Sequence, residues 1–170
     1  MTGKNDVVKQ GTALVIINPS AGPGDVATVR DAVEDAFAEA GRPVELHLTK
    51  RGERIDETAA GLIGDDTALV VAAGGDGTVS GAANAAAARD IPIAVIPTGT
   101  GNLLARELEI PLDVDKAAAL AAAAAHVRRI DAFRIDGHIY LLNAGVGISS
   151  LTVRDTPPEA KNRIGRAAYV

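Results

Sequence analysis

The chain has 170 residues, of which 47% are hydrophobic, and it carries a formal net charge of −5 and no cysteine. This length suffices for one complete domain and part of a second, while the lack of cysteine excludes disulfides and thiolate metal sites. The acidic balance argues against binding to a nucleic-acid backbone, which would need a basic face. With two Phe, two Tyr and no Trp, the core must be aliphatic, which suits helices packed closely on a sheet.

Strand-like runs alternate with helical patterns along most of the chain. Residues 1–10 are polar and lack the apolar stretch of a signal peptide, so we expect a flexible tail there. The predicted elements are, in order, strand 13–18, a helix begun by Asp25 and ended by Gly41, strand 44–49, helix 54–64, strand 68–72, helix 78–89, strand 93–96 and an alanine-rich helix over 117–125. This alternation indicates βαβ units, and therefore a three-layer α/β domain around a parallel sheet over residues 11–126. The alanine-rich run is too short to span a bilayer, which takes about 20 apolar residues.

A β-rich unit is predicted from residue 127 onward. Residues 127–135 alternate like a strand, Asp136-Gly137 is a hairpin-turn signal, and residues 138–143 would form the partner strand. The rest of the chain does not complete a sheet, and a two- or three-stranded fragment is marginal alone. We therefore expect 127–170 to be the start of an incomplete second domain in the N-terminal part of a longer protein. The alternative is that this segment docks on the first domain.

The most informative segment is Gly74-Gly75-Asp76-Gly77-Thr78, which follows a buried-strand run. Glycines let main-chain N–H groups approach a bulky anion, and a helix N-terminus adds about half a positive charge. The loops 18–24 and 97–102 also follow predicted strands, and such loops line one crevice in an open parallel sheet. Asp76 would repel a phosphate unless a cation, a proton or a hydrogen-bond network intervened, which suggests a metal-dependent nucleotide site. The alternative is a tight strand-to-helix turn in which Asp76 only caps a helix.

Several familiar motifs are absent from the sequence. No Lys follows any glycine loop, which excludes the P-loop pattern, and Gly75, Gly77 and Gly81 give GxGxxxG rather than the dinucleotide fingerprint GxGxxG. Neither GxSxG nor HExxH occurs, and the three histidines lack the spacing of a metal site or a catalytic triad. The remaining interpretation is phosphate binding by glycine loops without a P-loop lysine, and no protein metal-ligand set is predicted.

These motifs resemble the catalytic domain of diacylglycerol kinases and their bacterial lipid kinase relatives, which share a fold core with sphingosine kinases, NAD kinases and phosphofructokinases. The resemblance runs from about Leu14 to the last residue. Its motifs are the NPxxG-like loop 18–22, the GGDGT signature at 74–78 followed by Asn84, the PxGTxN-like loop 97–102 followed by Ala105-Arg106 and Ile110-Pro111, Asp131, the run 143–147 and the G-x-x-A-Y-like segment 165–169. This ordered series is far more specific than GGDGT alone.

The resemblance implies an α/β domain that holds ATP, a C-terminal β-sandwich domain, and an active site in the cleft between them. The residues that it implies as nucleotide contacts are Asn18, Pro19, Ser20, Ala21, Gly22, Thr49, Gly74, Gly75, Asp76, Gly77, Thr78, Val79, Ser80 and Thr100, with Asp76 near the phosphates. The reaction would be ATP- and Mg²⁺-dependent transfer of the γ-phosphoryl group to a lipid hydroxyl, such as that of diacylglycerol, which depends mostly on positioning and charge neutralisation. The implied partners are ATP and a lipid acceptor at a membrane surface. The implied protein is cytoplasmic and peripheral to the membrane, with a homodimer left open.

The sequence departs from the family pattern in two places. Val79, Ser80 and Gly81 replace a Leu-Asn-Glu-like stretch, and Leu103 stands where relatives often have an acidic residue. Both changes would weaken or retune nucleotide contacts without abolishing a main-chain phosphate cradle. The family's carboxylate base and Mg²⁺ ligands lie further along the β domain, so the catalytic residues are expected beyond Val170. The chain alone would then transfer phosphate poorly or not at all. The alternatives are a nucleotide-binding module without catalysis and an NAD kinase-like enzyme, which the first and third loops together disfavour.

Overall fold

The computed structural model describes residues 8–22 and 25–141. Its elements in chain order are β1 (Thr12–Ile17), α1 (Val26–Glu39), β2 (Val44–Leu48), α2 (Ile55–Leu62), β3 (Thr67–Gly74), α3 (Asp76–Ala87), β4 (Ile93–Pro97), α4 (Leu103–Glu107), α5 (Val114–Ala123), β5 (Phe133–Ile135) and β6 (His138–Tyr140). The predicted motifs at 143–147 and 165–169, and most of the predicted second domain, lie outside the described residues.

Strands β1 to β4 form a parallel sheet in the order β2-β1-β3-β4. β1 lies inside the sheet, where Val15 pairs with Leu46 of β2 on one side and with Val71 of β3 on the other. After β1 the chain forms β2 at one edge of the sheet and then crosses back to form β3 on the opposite side of β1. This reversal creates a topological switch point between β1 and β3, which is where ligands bind in open parallel sheets.

Both faces of the sheet are covered by helices, which gives the three predicted layers. One face packs Val33 and Phe37 of α1 and Ala118 of α5 against inward-facing strand residues such as Val15. The opposite face packs buried residues of α2, α3 and α4 against the other strand face, in a cluster that includes Ala59, Ala82, Leu104, Leu14 and Val70. The predicted parallel α/β fold is confirmed, and its core is aliphatic apart from Phe37.

The helix and strand bounds near the glycine signature differ from the prediction. α3 begins at Asp76 rather than Thr78, with Gly75 as its N-cap, so the signature consists of the last residue of β3, the N-cap and the first turn of α3; this tight connection is the second of the three predicted loops. β3 continues to Gly74 instead of ending at residue 72, because Gly74 pairs with Pro97 at the end of β4. The strand ends are therefore level where the two loops begin.

Helix caps explain which other bounds were predictable. Asp25 caps α1 by accepting a hydrogen bond from Ala27 N at 3.2 Å, as predicted, and Gly41 follows the helix with a φ of 63°. The alanine-rich helix starts at Val114, earlier than predicted, because Asp113 caps it by accepting from Lys116 N at 3.0 Å. α4 is not predicted, since its cap comes from a distant part of the chain.

The predicted hairpin is confirmed at its turn and is shorter than expected in its first strand. Asp136 and Gly137 both have positive φ, 49° and 84°, as the tight two-residue turn requires. Instead of the predicted strand over 127–135, only Phe133–Ile135 pairs with β6 within the described residues. The predicted partner strand covers His138–Tyr140 of the expected range 138–143, whose end lies outside the described residues.

Candidate functional site

Three loops meet at the carboxyl ends of β1, β3 and β4. Main-chain hydrogen bonds continue the sheet into them: Asn18 N donates to the Ala73 carbonyl at 2.9 Å, and Thr98 N donates to the Gly74 carbonyl at 3.1 Å. Because β1 leads to a helix on one face and β3 to a helix on the other, the chain diverges here, and a ligand crevice is expected outside these strand ends. The expectation that the three glycine loops lie side by side is confirmed for their described residues.

The loops approach one another through their glycines. A Cβ on Gly99 would lie 2.4 Å from Gly75 Cα, and a Cβ on Gly22 would lie 2.0 Å from the Thr98 carbonyl oxygen. Gly22 also has a φ of 81°, which other residues adopt only with strain. Larger residues at these positions would push the loops apart, so the three loops form one joint main-chain surface.

Asn18 and Thr78 join the first loop to the second. Asn18 Nδ2 donates to Thr78 Oγ1 at 3.0 Å, while Asn18 Oδ1 accepts from Ser20 N at 2.9 Å and closes a turn over Pro19. The Thr78 side chain is 2% exposed and fills the space beside Gly74, where a Cβ would lie within 2.7 Å of three Thr78 atoms. Asn18 and Thr78 therefore hold the loops together.

Exposure divides the predicted nucleotide contacts into three groups. The exposed ones are Pro19, Ser20, Gly77 and Thr100; the half-buried ones are Asn18, Ala21, Gly22, Gly75, Asp76 and Ser80; the buried ones are Thr49, Gly74, Thr78 and Val79. Val79 packs in the core beneath α3, and Thr49 N donates to the Ile17 carbonyl at the end of β1. A ligand in the crevice would first meet the exposed residues of the loops and their main chain.

The first turn of α3 offers free donors to the crevice. Its N-cap residue, Gly75, makes no side-chain hydrogen bond to the helix, in contrast to Asp25 and Asp113 at the starts of α1 and α5. The first N–H groups of an α-helix have no partner within the helix. An uncapped N-terminus beside glycine loops is a favourable place for an anion such as phosphate, since the helix dipole is positive there.

Asp76 links the second loop to the third. Its Oδ1 accepts from Leu103 N at 2.7 Å and from Leu104 N at 3.4 Å, so it caps α4 rather than its own helix. This finding matches the capping alternative in kind but places the capped helix elsewhere in the chain. A Cβ on Gly101 would lie 2.9 Å from Asp76 Oδ2. Oδ2 accepts no hydrogen bond among the described residues, which leaves one carboxylate oxygen for a cation.

Two residues that were not predicted as part of the site support the third loop, Asn102 at its end and Arg106 in α4. Asn102 has a left-handed backbone with a φ of 50°, and its carboxamide folds back on Gly99, accepting from Gly99 N at 3.0 Å and donating to the Gly99 carbonyl at 2.7 Å. Arg106 Nε donates to the Gly101 carbonyl at 3.0 Å. The signal for both was available, because Asn102 ends the PxGTxN-like loop and Arg106 belongs to the segment after it.

A carboxylate fixes the turn that follows Thr49. Glu53 accepts hydrogen bonds from the Lys50 main-chain N–H at 2.6 Å, from the Thr58 side chain and from His47 Nε2 at 2.7 Å. These bonds, with the one from Lys50 the largest cause, lower the pKa of Glu53 to about 2. The turn beside β2 is therefore held by an ionised Glu53 over the physiological pH range.

The described residues contain no preformed metal centre and no membrane-spanning helix. Within 8–22 and 25–141, no cluster of three or more His, Asp or Glu side chains could hold a metal ion. No helix in the same ranges has the length and apolar character needed to cross a bilayer. In many phosphate-transfer sites Mg²⁺ is held by one or two carboxylates together with the phosphates of the substrate. A single carboxylate, such as that of Asp76, is compatible with this kind of site.

Comparisons with known proteins identify relatives among lipid kinases. Residues 12–135 match the family described as "Diacylglycerol kinase catalytic domain". The chain is 31% identical to "Diacylglycerol kinase" of Bacillus subtilis (strain 168) over 159 residues, which cover 92% of this chain and 52% of the relative. It is 34% identical to "Probable lipid kinase YegS-like" of Pseudomonas aeruginosa over 164 residues, covering 95% and 52%. A crystal structure of a diacylglycerol kinase from Bacillus anthracis str. Sterne superimposes with a TM-score of 0.69 at 31% identity, covering 78% of this chain and 46% of that one.

The family match spans all of the described sheet and each of the three loops. The chain covers about half the length of these relatives. The matched residues, the sequence identity and the shared fold agree: the chain belongs to the diacylglycerol kinase catalytic domain family and is a lipid kinase-like protein.

Proposed function

We propose that this chain forms the ATP-binding part of a lipid kinase that transfers the γ-phosphoryl group of ATP to a lipid hydroxyl, such as that of diacylglycerol. The observation that carries the proposal is the uncapped N-terminus of α3, which opens between loops in main-chain contact at Gly75 and Gly99. This arrangement presents N–H donors and a positive helix end, and no side chain in the described part of the chain caps that end in competition with a phosphate.

The nucleotide would lie along the three loops. The exposed members of the predicted set, among them Ser20, Gly77 and Thr100, would offer main-chain donors and hydroxyls to the phosphates. The buried members Thr49, Thr78 and Val79 would support the loops from beneath. Phosphate binding would then depend on the backbone and hydroxyls of exposed loop residues, and the shape of the loops on the buried side chains.

Asp76 would contribute to nucleotide binding by offering a charged carboxylate oxygen to Mg²⁺. One of its oxygens already caps α4, which fixes the carboxylate at the crevice, and Mg²⁺ would share the negative charge that develops during phosphoryl transfer. The chain's own contribution is to hold a carboxylate oxygen beside the phosphate-binding amides. Further Mg²⁺ ligands and the carboxylate base would come from the rest of the protein, of which this chain would be the N-terminal part.

The acceptor would be presented at a membrane surface. A lipid hydroxyl is reached from the cytoplasm by a protein that works at the membrane periphery, and we propose that location for the complete kinase. Light scattering of the purified chain would decide between a monomer and a homodimer, both of which are compatible with the proposed chemistry.

The proposal is tested first by nucleotide binding. At an ATP concentration about 100 times its Kd, binding stabilises the folded protein by about 2.7 kcal/mol, which raises the melting temperature by about 5–10 °C for a chain of this size. We expect this shift with Mg²⁺ and ATP. Asp76→Asn keeps an oxygen that can cap α4 and removes the charge, so it should weaken Mg²⁺-dependent binding while changing stability little.

A matched control is available at the start of α5. Asp113 also caps a helix, through Lys116 N, so Asp113→Asn makes the same chemical change away from the crevice and should leave ATP binding unaltered. If the melting temperature of the wild-type protein does not change when Mg²⁺ and ATP are added, the proposal of nucleotide binding is wrong. Phosphotransfer by the full-length protein to diacylglycerol, sphingoid bases and NAD, compared side by side, then identifies the acceptor.

A further inference from the structure

A side-chain carboxamide joins the β5–β6 hairpin to α3. Asn84 Oδ1 accepts a hydrogen bond from Ile139 N at 2.7 Å, and Asn84 Nδ2 donates to the Ile139 carbonyl at 2.9 Å. Nδ2 also donates to the Ser80 carbonyl one turn earlier in the helix, at 2.9 Å. Both hydrogens of the amide and its oxygen are thereby used, and the contacts cross from the parallel-sheet domain to the hairpin.

The geometry of the hairpin explains why Ile139 is the residue that is held. In a two-residue hairpin, the residues that flank the turn, Ile135 and His138, exchange both main-chain hydrogen bonds. The next pair, Arg134 and Ile139, directs its N–H and C=O groups outward. Ile139 therefore presents a free donor and a free acceptor at the edge of β6, and the Asn84 carboxamide meets both of them as a neighbouring peptide group would.

Asn84 is an unusual residue for its place in the helix. Asn is a poor helix former, because its side chain competes with the main chain for hydrogen bonds. The adjacent positions Ala82, Ala83, Ala85 and Ala86 are all buried alanines, which favour the helix and pack closely. Within α3 the amide makes one hydrogen bond, to the Ser80 carbonyl, whereas its two hydrogen bonds to Ile139 satisfy the edge of β6.

We infer that Asn84 is a positioning residue that fixes the hairpin onto the helix whose first turn carries the glycine signature. Asp76 and Asn84 lie on the same helix, about 12 Å apart along its axis at 1.5 Å per residue. A nucleotide that orders the N-terminus of α3 would therefore also order the hairpin, and the reverse holds by linkage. This coupling rests on the proposed function for its ligand, whereas the contact itself does not.

The contact is tested by amide hydrogen exchange of the chain without ligand, followed by NMR. In Asn84→Ala, which restores a good helix former, we expect the Ile139 amide to exchange at least about 10-fold faster, while Val15 and Val71 in the sheet keep their protection. Asn84→Leu, which has a similar volume but neither the acceptor of the Ile139 N–H nor the amide donors, should behave similarly. Ala87→Asn places the same side chain on the exposed end of the helix and should change nothing. Unaltered Ile139 exchange in both Asn84 variants would overturn the inference.

The same exchange measurement with Mg²⁺ and ATP distinguishes a failure of the Asn84 contact from a failure of nucleotide binding. With Mg²⁺ and ATP, the Ile139 amide of the wild type should become more protected, and Asn84→Ala should bind ATP with little loss of affinity but without that protection. ATP binding with no effect on Ile139 in the wild type would refute the coupling. A complete failure to bind ATP would instead refute the proposed function, and the ligand-free comparison would still decide whether Asn84 positions the hairpin.

Discussion

Gly77 is a glycine that the fold does not require but that the proposed binding of phosphate does. A Cβ on Gly77 would meet nothing within 4 Å, its φ is not positive, and it lies in the first turn of α3. Gly77→Ala should therefore stabilise the protein by about 0.4–1 kcal/mol, mainly because the unfolded chain loses freedom. For a chain of this size the melting temperature should rise by about 1–4 °C.

The same methyl group should impair nucleotide binding. Gly77 is exposed at the crevice, where a phosphate would lie against main-chain N–H groups, and a Cβ there would occupy the space of a phosphate oxygen. We expect the Kd for Mg²⁺ and ATP, measured by calorimetry, to rise at least about 10-fold, which corresponds to about 1.4 kcal/mol.

Gly61→Ala is the matched control for this substitution. Gly61 lies within α2, its Cβ would also meet nothing within 4 Å, and the change should stabilise the helix without affecting ATP. If Gly77→Ala binds ATP as tightly as Gly61→Ala does, the proposed approach of phosphate to this backbone is wrong. If Gly77→Ala lowers the melting temperature, the glycine is needed by the fold instead.

Other predictions concern the loops, the core and the turn after β2. Asp76→Ala removes the cap of α4 and should cost about 1–2 kcal/mol in chemical denaturation, whereas Asp76→Asn should cost less than half of that. Gly99→Ala, whose Cβ would lie 2.4 Å from Gly75 Cα, should cost about 1–3 kcal/mol by forcing the loops apart; equal stability would show that the loops separate freely. Phe37→Ala should cost about 3–5 kcal/mol, since Phe37 is fully buried. Because the pKa of Glu53 is lowered from 4.5 to about 2, its contribution to stability is complete above pH 4.5 and disappears as the pH falls towards 2. Glu53→Gln should remove that part of the acid dependence, and an NMR titration of Glu53 with a midpoint near 4.5 would contradict it.

The alternation of strands and helices was predictable from the sequence because the signals are local. Buried-strand runs, the Asp25 cap and the Asp136-Gly137 turn each act within a few residues, and all three are present in the structure. The strand order β2-β1-β3-β4 was not predicted, because βαβ units with right-handed crossovers are compatible with several orders. The meeting of the glycine loops was also predictable, because the carboxyl ends of parallel strands lie at one edge of the sheet.

The parts that were missed depend on contacts between distant residues. α4 is short, and its cap is Asp76, which precedes it by 27 residues. The pairing of Asn84 with Ile139 spans 55 residues; Asn84 stands out among alanines, but nothing in the local sequence identifies Ile139 as its partner. The end of β3 at Gly74 depends on its partner Pro97. In each case the sequence shows which residues can form such contacts, but their pairing is set by the assembled sheet.

The origin of the α4 cap has a consequence for the order of folding. Because no side chain within 99–110 caps the first amides of α4, this helix of about one and a half turns should be unstable on its own. It should form only after β3 and β4 have aligned and brought Asp76 beside Leu103. Asp76→Ala should therefore speed unfolding and leave the refolding rate almost unchanged, which would mark the third loop as a late-forming part of the molecule.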